Sequence, residues 1–204
     1  RNLIDEWAVQ SNERKYVWNL EAFSNLNPNS NSQFLGLFEP SHLKFEVDRS
    51  KDSAGEPSLA EMTAFAINRL SFDPKKDFFL LVEAGRIDHG HHAGNAYRAL
   101  TDTVAFSDAI KVAKSLVDIN ETLMIVTADH SHTMTISGYP SRGNPILGLV
   151  DTMKDATSKP YTTLSYANGP GYQRSIPDLS KIDVKDINYR QLASVPMYAE
   201  THAG

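Results

Sequence analysis

The sequence predicts an α/β protein built on a central, mostly parallel sheet flanked by helices, with a small irregular insertion late in the chain. Two observations carry that prediction. Phe78 to Val82 and Leu123 to Val126 are short apolar runs suited to strands covered on both faces. Between them, Ala93 to Val117 has apolar residues at Ala96, Leu100, Val104, Ala109, Ile110, Val112 and Leu116, close to helical spacing. Strand, helix, strand is the right-handed crossover of a parallel sheet, and it sets both carboxyl ends on one sheet edge.

The remaining elements follow in order. Leu3 to Gln10 reads as a helix, Lys15 to Trp18 as a short strand and Leu20 to Leu26 as a helical turn or two. Asn27 to Gln33 is a polar loop, rich in side chains that bond their own backbone, and Phe34 to Phe38 is a strand. Pro57 suits a helix start because its φ is fixed and it has no N–H to leave unpaired. Ser58 to Leu70 then places Leu59, Met62, Phe65, Ala66, Ile67 and Leu70 on one side, and Asp73, Pro74 and two lysines close the helix. From Ser141 to Pro196, Gly, Pro, Asn, Ser and Tyr predominate, which predicts an irregular subdomain with a few short strands.

Composition excludes several classes. With 41% hydrophobic and 22% charged residues, the 204-residue chain is an ordinary globular one. A net charge of −5 argues against a nucleic-acid surface. No apolar run is long enough to span a bilayer, and no signal peptide is visible at Arg1. The absence of cysteine excludes thiolate zinc sites. Asn120-Glu121-Thr122 is a sequon in a predicted exposed turn between the long helix and the second apolar run.

The chemistry sits where the apolar runs end. The first hands over to Glu83, Asp88, His89, His91 and His92, and the second to Asp129, His130 and His132. If a helix begins near Asp88, then Asp88 and His92 share a face and can meet one cation. An isolated histidine such as His42 is ordinarily a surface or core residue. Acid and imidazole clustered after a buried strand, twice, is different. Burying a carboxylate without a cation or hydrogen bonds costs several kcal/mol or more.

These residues carry a resemblance. VEAGRIDHGHH and VTADHSH resemble the metal-binding motifs of alkaline phosphatases, close to the animal members. The similarity continues through YVWN at Tyr16, LGLFEP at Leu35, EPSLAEMT at Glu56, RGNPILGL at Arg142, NGPGY at Asn168 and ETHAG at Glu200. The resemblance implies an alkaline-phosphatase-like α/β fold and hydrolysis of small phosphate monoesters at alkaline pH. It also implies two zinc ions, one magnesium and a phosphoserine intermediate. Matched by position, Asp88, His92 and His202 hold the first zinc, Asp129 and His130 the second, and Glu83 the magnesium. His89 and His132 orient those ligands through hydrogen bonds. The Phe38 carbonyl, Glu39 and Glu56 match a structural calcium site, in which Glu56 replaces the more usual Asp and a further acid comes from upstream.

The same resemblance divides the chain into residues 1–140 of the catalytic domain, a crown-like insertion at 141–197, and a return to the catalytic domain at 198–204. Tyr161, Tyr166, Tyr172 and Tyr189 of the insertion are either interface tyrosines or routine packing, and Ala167 stands where the family commonly has Gly. Further implications are a homodimer, an extracellular place or one on the outer face of the plasma membrane, and a glycolipid tether outside this chain. The family's nucleophilic serine, its metal-bridging aspartate and its phosphate-gripping arginine belong to segments upstream of every match. Asp52-Ser53-Ala54 has neighbours like the nucleophile's but falls in a polar loop. We therefore expect an internal portion of a longer protein with little activity alone. Two alternatives stay open: a catalytically silent metal-binding or interaction module, and phosphodiester, sulfate-ester or phosphomutase chemistry on the same scaffold.

Overall fold

A small crossover motif begins the chain. Helix α1 (Leu3–Ala8) is capped by Asn2, whose side chain accepts from the Ile4 and Asp5 amides. Strand β1 (Arg14–Val17), helix α2 (Leu20–Ser24) and strand β2 (Gln33–Gly36) follow, and β1 and β2 pair in parallel with Arg14 opposite Gln33 and Val17 opposite Gly36. Asn19 caps α2 by accepting from the Ala22 amide. Helix α3 (Leu59–Leu70) starts at a capping box, with the Ser58 hydroxyl accepting from the Glu61 amide while Glu61 accepts from the Ser58 amide. The apolar face of α3 buries Ile67, and Phe65 packs on Phe23 and Phe34 with ring centroids 5.3 and 5.0 Å apart.

The computed structural model describes residues 1–202 and divides into two compact units. The first is Arg1–Ala84 with Asp102–Ile125, and the second is Gly85–Thr101 with Val126 onward. Ala203 and Gly204, which end the ETHAG motif and the 198–204 segment, lie outside the described residues. No helix among the described residues is long and apolar enough to cross a membrane.

The second unit is built around strand β4 (Leu164–Gly169). It pairs antiparallel with β3 (Met134–Ile136) and parallel with β5 (Ala193–Pro196). Leu164 and Tyr166 alternate inward with Leu179 and Val184 as the core. Helix α4 (Arg86–His92) meets the start of α5 (Ala96–Leu116) across a turn in which Gly94 has φ +65°. The opening amides of α5 find partners in the core. Asn95 accepts from the Arg98 amide at 2.9 Å, and the buried Gln191 side chain accepts from the Ala96 amide at 2.9 Å.

The helices stand within a few residues of their predicted bounds, and the α/β alternation is present. The two apolar runs differ from expectation. Neither Phe78 to Val82 nor Leu123 to Val126 belongs to a ladder among the described residues. Phe79, Leu81, Leu123 and Ile125 are exposed, whereas Phe78, Leu80, Val82 and Met124 are partly covered. Period-two burial is the mark of a strand covered on one face, and a central sheet needs neighbouring strands that the described residues do not place there.

Candidate metal centre

Helix α4 does what the spacing required of it. Asp88 in its first turn and His92 in its last lie on one face, with His92 Nε2 3.2 Å from Asp88 Oδ1. The 126–132 segment adds His132 Nε2 at 3.2 Å and His130 Nε2 at 3.7 Å from the same oxygen. The returning chain adds His202 Nε2 at 3.8 Å. Asn168 fixes that return, accepting from the Thr201 amide at 2.7 Å and donating to the Thr201 carbonyl at 3.0 Å.

Two sets of ligand atoms result, Asp88 with His92 and His202, and Asp88 with His130 and His132, each within 4.8 Å. Three of the rings have their Nδ1–H committed elsewhere. His92 donates to the Glu200 carbonyl, His130 to the Ser131 carbonyl at 3.1 Å, and His132 to the Glu200 carboxylate at 2.8 Å. Those acceptors have no proton to give, so Nδ1 is the donor in each ring and Nε2 is the atom left facing Asp88. Asp88 Oδ1 is itself shielded from solvent and accepts no hydrogen bond, although four imidazoles stand within ion-pair distance. A carboxylate oxygen and several ring nitrogens converging on one space fit a cation. The imidazole and carboxylate donors suit zinc.

The alkaline phosphatase family model matches residues 1–204. The chain belongs to the alkaline phosphatase family. It is 43% identical to an alkaline phosphatase of Gadus morhua over the whole chain and 43% of that relative. It is also 44% identical to the tissue-nonspecific isozyme of Felis catus and 42% identical to that of Homo sapiens, in each case over the whole chain and 39% of the relative. The chain thus spans about two fifths of the length of these relatives. Alkaline phosphatases are metal-dependent, and the two residue groups just described could hold a metal ion.

The other predicted residues of the alkaline phosphatase site stand as follows. Asp129 is 89% exposed, with Oδ2 3.3 Å from His130 Nε2, and joins neither ligand set. Glu83 is exposed and belongs to the first unit. His89 Nδ1 accepts from the Arg86 guanidinium at 3.1 Å. Tyr166 is packing: its ring is buried, and its hydroxyl lies 2.8 Å from His91 Nδ1. Burial raises the Tyr166 hydroxyl above its ordinary range and lowers the His91 imidazole to about 4, so both are neutral at neutral pH. Asn120 is exposed, as a glycan acceptor must be.

Sequence reasoning assigned no role to Glu200, which is fully buried. Beyond His132, its carboxylate accepts from the Thr133 amide at 2.7 Å and the Thr133 hydroxyl at 2.9 Å. Burial opposes its ionisation, yet these three hydrogen bonds together hold its carboxyl below the usual carboxylate range. Nor did sequence reasoning place Asp52, which in the first unit joins Glu39 and Glu56 in a third set of converging carboxylates. Glu56 is buried, and its Oε1 accepts from the Lys44 amide at 2.7 Å. Glu56 Oε2 and Asp52 Oδ2 are buried without a hydrogen-bond partner. Lys44 forms its ion pair with Glu39, at 2.6 Å. Burial first, then the Glu39 and Asp52 charges, raises the Glu56 carboxyl. Phe38, which precedes Glu39, packs edge-on against Phe23.

Proposed function

We propose that the whole protein hydrolyses phosphate monoesters at alkaline pH. On this reading Asp88, His92 and His202 hold one zinc, His130 and Asp129 hold a second, and Glu83 holds magnesium. The observation that carries it is Asp88 Oδ1, solvent-shielded and without a hydrogen-bond partner among converging Nε2 atoms. Zinc held there would supply Lewis acidity to an in-line phosphoryl displacement. The chain's own part is to present imidazole nitrogens and carboxylates in a fixed arrangement. Ser53 does not serve as nucleophile: it is exposed, while its neighbour Asp52 turns toward Glu56. We assign the nucleophile to a serine outside this chain. Turnover of a chromogenic phosphate monoester by the full-length protein, abolished by a zinc chelator and restored by zinc, is the expected result. Greater turnover of a diester or a sulfate ester would move the assignment to those chemistries, and no turnover of any would leave a silent binding module.

The Glu39, Asp52 and Glu56 set is assigned to calcium, whose oxygen-only preference it satisfies. Calcium at 100 times its Kd is expected to stabilise the protein by about 2–3 kcal/mol, and Glu56→Gln to abolish most of that gain. Thermal melts of both proteins with calcium and with chelator measure it. A wild-type midpoint indifferent to calcium would overturn the assignment. Kinship with the animal enzymes also motivates a homodimer bordered by a crown at 141–197, an extracellular or glycolipid-tethered location, and glycan at Asn120. Light scattering, phospholipase release and glycosidase digestion test these in turn.

A further inference from the structure

We propose that Glu200 is the positioning residue that fixes the ring orientation of His132 and His92, so that both present Nε2 to Asp88. The inference deepens the metal-centre reading above and rests on it. Glu200 acts through two separate groups. Its main chain is zipped to His92, the amide donating to the His92 carbonyl at 2.9 Å and the carbonyl accepting from His92 Nδ1. Its carboxylate accepts from His132 Nδ1 and, through the other oxygen, from Thr133, the residue that follows. One fully buried residue thereby ties the end of α4 to the 126–133 segment, and it stands two positions before His202.

The opposite side of His132 is braced as well. The His91 ring stacks on it with centroids 4.4 Å apart at 26°, and His91 is held in turn at the Tyr166 hydroxyl. His132 is therefore gripped at Nδ1 and across one face, leaving Nε2 directed at Asp88 Oδ1, 3.2 Å away. A ring free to turn would place a carbon or an N–H there for much of the time. Partners that orient the groups of a metal site, here the ligand His92 and the His132 ring beside the ligand Asp88, are worth about 10–100-fold in metal affinity.

Glu200→Gln separates positioning from packing. The amide has nearly the same shape, and its oxygen can still accept from Thr133, but its NH2 group would face His132 Nδ1. That group cannot accept the Nδ1–H, so the grip on the ring is lost and Nε2 is no longer held toward Asp88. Zinc affinity of the full-length protein, measured by competition with a chromogenic chelator, should fall about 10–100-fold in Glu200→Gln. The visible spectrum of the cobalt(II)-substituted protein should change as well. Unchanged zinc affinity together with an unchanged cobalt spectrum would overturn the proposal.

If Glu200→Gln does not fold, nitrogen-15 shifts of the histidine rings in the metal-free wild-type protein decide the matter. A proton on Nδ1 in both His132 and His92 is expected, and an unprotonated Nδ1 in either overturns the proposal. Wild-type protein that takes up no zinc would end the phosphatase reading, while the ring-nitrogen measurement would still judge the role of Glu200.

Discussion

Replacing Asp88 with alanine is expected to remove zinc and activity together from the full-length protein. Asp88 is the acid common to both ligand sets around the histidines, so its loss removes from both sets the anion that offsets a divalent charge. Loss of a direct ligand should exceed the 10–100-fold effect of losing a residue that merely orients one, so turnover should fall by at least about 100-fold. Asp88→Asn keeps the shape and one oxygen while dropping the charge, and its zinc content should fall between those of wild type and Asp88→Ala. Metal analysis beside monoester turnover reads both quantities. Full zinc content in Asp88→Ala would remove the basis for the metal centre.

Gly171→Ala should be among the most damaging small substitutions in the second unit. A Cβ built on Gly171 lies 1.8 Å from the Gln191 carbonyl oxygen and 2.9 Å from its carbon, both main-chain atoms with no rotamer to change. Gln191 is also the residue whose side chain receives the Ala96 amide and whose own amide donates to Gly94. Pushing it aside loosens the turn between α4 and α5 as well as the strand end. The cost should reach or pass the upper end of the roughly 1–3 kcal/mol typical of overpacking. Gly143→Ala is the control: φ there is +90°, but nothing lies within 4 Å of the added carbon. It should cost only the strain of that backbone conformation, on the order of 1–3 kcal/mol and at the lower end. Denaturant unfolding of the two variants compares them, and equal losses would show that the Gly171 contact is relieved by a shift elsewhere.

What could be read from the sequence was local in character. Ser58 and Glu61 announce the start of α3 because the capping box is a four-residue pattern, and Asp88 and His92 announce a shared face because four residues make about one helical turn. In the sequence the two clusters converge through a predicted parallel crossover; His130 and His132 do stand near Asp88, although neither apolar run joins a ladder among the described residues. Glu200 was illegible because its partners at Thr133 and His132 are remote in sequence, and an acid near a histidine has no pattern of its own. Asp52 was passed over for a similar reason. The approach of Asp52 to the buried Glu56 is visible only in three dimensions. The apolar runs at 78–82 and 123–126 read as sheet interior from composition alone, and composition says nothing of which neighbours are present.

The set formed by Asp88, His92 and His202 joins a helix early in the second unit to the tail that closes it. An ion gripped by all three would cross-link segments that are remote along the backbone, and fastening a long loop limits the freedom of the denatured chain more than fastening a short one. These 204 residues contain no cysteine, and such a cation would be for them the cross-link that a disulfide is elsewhere. It differs from one in being reversible by dilution, acid or chelator, so the clasp can open without any covalent bond being broken.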